Sequence, residues 1–177
     1  MAPLRKGNHG QTKDSGSGVG AAIKLSSVLD DQLILCGMKA RDKQEAIEEL
    51  GAFIAERRTD LAKEAIIESV LARERECSTA IGRGCAFPHG KIAGLDRMVV
   101  ALGISEPGID CCALDGKPVN FVVLMLTGEV ASLEYLATLA AFASLSREPD
   151  KMKVLLGATC PREIIQAIDS FDINLRC

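Results

Sequence analysis

The residues "VNFVVLMLT" at positions 119–127 decide the architecture. A strand with one face in water alternates apolar and polar residues, whereas a strand covered on both faces is apolar almost throughout. This run is of the second kind. It predicts a strand in the middle of a sheet, with packing layers above and below. Just before it, "LDGKP" at 114–118 is a turn signal between strand-like pieces. Upstream, "RMVVALGI" at 97–104 and "CAF" at 85–87 are apolar segments bounded by Gly or Pro, and "QLILC" at 32–36 is a further short apolar run. These are the other expected strands.

The covering layers come from helices. "ARDKQEAIEELGAFIAER" at 40–57 places Ile47, Leu50 and Ile54 at helical spacing, and Asp42 with Glu45 forms a capping-box-like start. "KEAIIESVLARERE" at 63–76 sets Ile66, Val70 and Arg73 on one face, so Arg73 is expected on the side the helix buries. "SLEYLATLAAFASLSRE" at 132–148 reads as a third helix with Ser132 as N-cap and Tyr135, Leu139 and Phe142 sharing a face. "DKMKVLLG" at 150–157 and "PREIIQAIDSF" at 161–171 close the chain as shorter helices, the second opened by Pro161, where proline is tolerated. Strands interleaved with helices give an α/β fold: a single compact domain whose mixed β-sheet is flanked by helices.

The composition supports this reading and excludes several function classes. The chain has 177 residues, 47% hydrophobic and 25% charged, as in ordinary globular proteins. Aromatic residues are only 3%, with no Trp and one Tyr, so the core must be aliphatic and base-stacking platforms for nucleic acid are missing. A net charge of −3 gives no pull toward nucleic acid or anionic membranes. No apolar run reaches the roughly 20 residues a membrane helix needs. The seven cysteines are odd in number and irregularly spaced, which suits free thiols in a reducing cytoplasm. Residues 1–22, rich in Gly, Ser and basic groups, are expected to be a disordered tail holding His9, with the domain occupying 23–177.

The second of the two histidines lies in "STAIGRGCAFPHGKIAG" at 78–94. His89 admits four readings. It can be a half-buried packed residue. It can be a metal ligand with Cys77, Cys85 and one of Cys111 or Cys112, although that spacing matches no recognised zinc pattern. It can pair with Cys85 as a nucleophile, since the two share strand parity. Or it can itself accept a phosphoryl group, because a neutral imidazole is a good nucleophile and the N–P bond is labile enough to pass the group on.

The surroundings favour chemistry over packing. Pro88 is expected to end the preceding strand and Gly90 to turn the chain away, while Gly82 and Gly84 offer amides without side chains. Phosphoryl transfer needs backbone donors and a cation. Arg73 is the candidate cation, with Ser78 and Thr79 as hydroxyl donors. The competing reading of Arg73 is a surface residue, or a salt-bridge partner of Glu74 or Glu76. Transfer between two proteins requires neither metal nor cofactor.

"LARERECSTAIGRGCAFPHGKIAGLDR" at 71–97, followed by "GIDCCALDGKPVNFVVLML" at 108–126, resembles the enzyme IIA domain of the fructose/mannitol class of the bacterial phosphoenolpyruvate-dependent phosphotransferase system. That class includes the nitrogen-related regulatory IIA proteins. The resemblance extends from about Ile23 to about Asp169. It implies that His89 takes a phosphoryl group from a histidine phosphocarrier protein, beside the arginine matching Arg73. The group then passes to a IIB domain, or the phosphorylated state acts as a signal on a regulatory target protein. Two positions depart from the family pattern. The middle of Gly-x-Gly, often Asn, is Arg83, which would add positive charge near the phosphoryl group. The helix position that often carries a second histidine is Tyr135, a hydrogen-bond donor that cannot become a cation.

Overall fold

The computed structural model describes residues 24–130 and 133–171. The expected tail at 1–22, the domain start at Ile23, the Ser132 cap and Cys177 lie outside the described residues. The elements in chain order are β1 (Ile34–Cys36), α1 (Lys43–Arg57), α2 (Lys63–Glu76), β2 (Ala80–Gly82), β3 (Cys85–Ala86), β4 (His89–Lys91), β5 (Val99–Ile109), β6 (Val119–Thr127), α3 (Leu133–Leu145), α4 (Pro149–Leu156) and α5 (Pro161–Ser170). Short 3-10 turns at Leu25–Val28 and Asp31–Leu33 precede β1, so only the second half of "QLILC" is strand.

β6 is central, as its composition predicts. It runs antiparallel to β5 on one side and parallel to β3 and β4 on the other; β1 extends the sheet parallel to β5, and β2 extends it antiparallel to β3. Its alternate residues feed two separate cores. Val122, Leu124 and Leu126 face Ile47, Leu50 and Ile54 of α1 and Ile66 and Val70 of α2. Phe121, Val123 and Met125 face Phe142 and Leu145 of α3 and Ile164 and Ile168 of α5. The fold is thus a mixed sheet between two helical layers.

Local sequence rules account for the element ends. The Asp42 carboxylate accepts a hydrogen bond from Glu45 N at 2.8 Å, capping α1. The reciprocal bond of a capping box is displaced by one residue, because Glu45 accepts from Arg41 N at 2.8 Å. The turn at "LDGKP" forms around Gly116, whose φ of 67° suits a residue without Cβ. β5 runs past the expected end at Ile104 to Ile109, through a register shift that lets the strand bend at Pro107 and Gly108.

The segment around the histidine corrects two expectations. Pro88 interrupts the strand without ending the alignment: Cys85 lies opposite Phe121 and His89 opposite Met125, the same offset on β6. Pro88 lacks an amide hydrogen but its carbonyl still accepts from Met125 N at 2.9 Å. Gly90 does not turn the chain away; it continues β4 opposite Leu126. It is glycine because α2 lies directly over it. A Cβ there would run into Ser69 Oγ, and would stand 2.9 Å from Val70 Cγ2. Gly90→Ala should therefore lower stability by about 1–3 kcal/mol, the ordinary cost of overpacking. Chemical denaturation measures it; an unchanged midpoint would show that α2 can move away freely.

Candidate functional site

β4 hydrogen-bonds to β6 on one side, and a cleft of about 500 Å³ lies over it. The walls are Ser69, Arg73 and Glu76 from α2, His89 and Lys91 from β4, Thr127 at the end of β6 and Tyr135 from α3. Strand parity explains the arrangement. Cys85 and Phe87 belong to the core layer under α3, and His89, two residues further on, continues that face. Arg73 comes from α2, which covers the opposite face at Gly90. Both side chains line the one cleft, at the edge of β4 that has no neighbouring strand among the described residues.

The imidazole is oriented by the backbone. His89 Nδ1 lies 3.0 Å from the carbonyl oxygen of Phe87. A carbonyl only accepts, so Nδ1 carries a proton, and in the neutral ring the lone pair is on Nε2. The ring of Tyr135 lies with its centroid 5.6 Å from that of His89, tilted by 51°. Tyr135 is buried, which raises its phenol above the ordinary value, while Arg73 pulls in the opposite direction. It stays a neutral donor across the physiological range.

Arg73 is half-buried and forms no ion pair among the described residues. One guanidinium nitrogen, NH1, donates to Cys77 O at 2.9 Å, which braces the side chain at the end of α2. The adjacent Glu74, a candidate partner for Arg73, is committed elsewhere. It takes a salt bridge from Lys43 Nζ at 2.7 Å and hydrogen bonds from Thr79 N and Thr79 Oγ1, the latter at 2.6 Å. Burial opposes ionisation of Glu74, but these donors outweigh it and hold the carboxyl below its usual range. The guanidinium is left facing the cleft.

Of the nine residues expected at the site, Arg73, His89, Gly90 and Tyr135 are brought together. Ser78, Thr79, Gly82, Arg83 and Gly84 do not line the cleft. The Thr79 hydroxyl serves Glu74, and Ser78 Oγ takes a hydrogen bond from Lys43 Nζ at 2.7 Å. Arg83 and Gly84 form the two-residue turn between β2 and β3, with φ values of 59° and 72°, the pattern of a type I′ hairpin. Such turns favour Asn-Gly, which accounts for the Asn often found at this position without reference to a phosphoryl group. Here Asp115 supports the strained arginine by accepting from Arg83 N at 2.8 Å. Arg83 lines a different groove from the one that holds His89.

Ser69, Ala72, Glu76, Lys91 and Thr127 line the cleft without having been anticipated. The signal was present for some: Ser69, Ala72, Arg73 and Glu76 recur at the spacing of one helix face, and Lys91 shares strand parity with His89. Ser69 Oγ donates to Lys91 O at 2.8 Å and pins α2 to β4. The rival readings of His89 lose their partners. Cys85 is fully buried under α3, and burial pushes its thiol up to about 12, so it supplies no thiolate at neutral pH. Among the described residues no group of three or more His, Cys, Asp or Glu gathers as a metal-ligand set. The described cysteines are free thiols. No helix among these residues is long and apolar enough to cross a membrane.

The fold thus sets a half-buried histidine on a short strand in one cleft with an arginine that has no ion-pair partner among the described residues. Residues 27–171 match the family described as phosphoenolpyruvate-dependent sugar phosphotransferase system, EIIA 2, and the chain belongs to that family. Among its relatives is the nitrogen regulatory protein of Bradyrhizobium diazoefficiens, 35% identical over 133 residues that span 75% of this chain and 86% of that one. The crystal structure of the nitrogen regulatory protein IIA-Ntr from Neisseria meningitidis superposes with a TM-score of 0.75 at 28% identity, covering 81% of this chain and 98% of that one. The fructose-specific EIIABC component of Bacillus subtilis is 29% identical over 150 residues, 85% of this chain but 24% of that protein.

Proposed function

We propose that this protein is a phosphoryl carrier: His89 accepts a phosphoryl group on Nε2 from a histidine phosphocarrier protein. The observation that carries the reading is the bond from Nδ1 to the Phe87 carbonyl, which leaves Nε2 as the nucleophilic nitrogen at the cleft. In the transfer, the Nε2 lone pair forms a bond to phosphorus as the donor's N–P bond breaks, and the electron pair of that bond returns to the donor imidazole. Arg73 balances the charge on the phosphoryl oxygens, and Tyr135 supplies a neutral donor from α3. Lys91, on the same strand face as His89, adds a second cation. The group then leaves to a IIB component, or stays as a signal to a regulatory target. Donor and acceptor would meet in the cytoplasm.

The regulatory use has specific support. A nitrogen regulatory relative is 35% identical over 133 residues, against 29% over 150 residues for the fructose-specific component. In this role the phosphoryl group changes the charge and shape of the cleft, and with them the affinity for a partner. Incubation with labelled phosphoenolpyruvate, enzyme I and the phosphocarrier should label the protein. Peptide mapping under alkaline conditions, where phosphohistidine survives, should place the label on the peptide containing His89. Label on any other peptide would refute the assignment.

A further inference from the structure

A second groove lies at the other end of the sheet. β6 has Thr127 in the cleft beside His89, while Lys117, two residues before its start, lines a groove of about 840 Å³. At the usual rise per residue the two ends of β6 are roughly 26 Å apart. Four cations, Arg83, Lys117, Arg147 and Lys153, surround this groove against a single carboxylate, Asp115. Their chain carries a net charge of −3, so the groove is a positive pole on an acidic protein. All four are exposed, and no hydrogen bond or ion pair engages their side-chain nitrogens among the described residues. Asp115 is held below its usual range chiefly by the Arg83 and Lys117 amides, with the Lys117 charge adding less.

The floor is apolar, built from Pro149, Met152 and Leu156 on one side of α4. The buried hydroxyl that lines it, Ser146 Oγ, is spent on Ala143 O at 2.8 Å. A small-ligand site would aim fixed polar groups inward, and this groove aims none. A membrane surface is flat and would not fill a concavity. Apolar floor and cationic rim together fit an amphipathic helix whose aliphatic stripe is flanked by carboxylates.

We propose that this groove docks an acidic amphipathic helix of a protein partner, at a surface separate from the His89 cleft. A partner held there leaves His89 open to its phosphocarrier. The inference is independent of the phosphoryl-carrier reading, because the groove shares no residue with the cleft.

The probe is a fluorescein-labelled helical peptide of about four turns, with Glu on both flanks of a Leu stripe, read by anisotropy. The full-length protein should bind it, more weakly as salt rises. An Arg147→Glu/Lys153→Glu protein, with its fold checked by circular dichroism, should bind roughly tenfold or more weaker. It should still accept phosphoryl label at the unaltered rate. A peptide with Leu replaced by Ser should lose a similar factor. Four outcomes would overturn the proposal: no binding by the unaltered protein, equal binding by the charge-reversed protein, loss of labelling in that protein, or charge-dependent binding to phosphatidylglycerol vesicles in place of the peptide.

Discussion

The His89→Ala protein is expected to take up no phosphoryl group from a phosphocarrier charged by phosphoenolpyruvate and enzyme I, while keeping its fold. The loss should be complete because the chain has two histidines and the other, His9, lies far away in sequence, outside the described residues. Among the described residues no cysteine lines the cleft, and Cys85, nearest in sequence, is buried under α3 with its thiol pushed up to about 12. The fold should survive because the side chain is half-buried, and its hydrogen bond runs to a carbonyl two residues away. That bond contributes on the order of 1 kcal/mol. Labelling and thermal unfolding of the same preparation separate the two effects. A folded His89→Ala protein that labels as well as the parent would end the phosphoryl-acceptor assignment.

Arg73→Ala should slow transfer to His89 by roughly 10²- to 10³-fold in single-turnover measurements, the scale seen when one preorganised donor to a developing charge is removed. The geometry argues for a site role over a structural one. Arg73 has no carboxylate partner among the described residues, because Glu74 is taken by Lys43 and Thr79, and its brace is a single bond to Cys77 O. Stability should therefore fall by no more than about 1 kcal/mol. Arg73→Lys should recover only part of the rate, since an ammonium restores the charge but not the planar fork. An Arg73→Ala protein with unaltered rate and a large drop in melting temperature would make the residue a helix-end brace.

The helices and the central strand were legible because their signals are local. The spacing of Ile47, Leu50 and Ile54 on α1, and the unbroken apolar run of β6, follow from the burial each element needs. Strands β2 and β4 were not legible. Each has three residues, too few for a period to show, and β4 exists only because β6 offers it a register. The same limit explains the glycines. A sequence shows that Gly90, Gly82 and Gly84 lack side chains. It does not show that the first admits α2, or that the other two serve a hairpin.

The layered α/β class, the histidine here proposed as acceptor, and the tyrosine that stands where a second histidine is common could all be read from the chain before any fold was known. These rest on residue type and on periodicities within one element. The neighbours of His89 came from the packing of distant segments. That packing leaves Ser78, Thr79 and Arg83 off the lining of the His89 cleft, pairs Glu74 with Lys43 and not with Arg73, and gathers Arg83 and Lys117 with Arg147 and Lys153 at the far end of the sheet. A site made of α2, β4, β6 and α3 depends on strand register and helix docking. Those are set by the summed packing of two cores, which no single segment encodes.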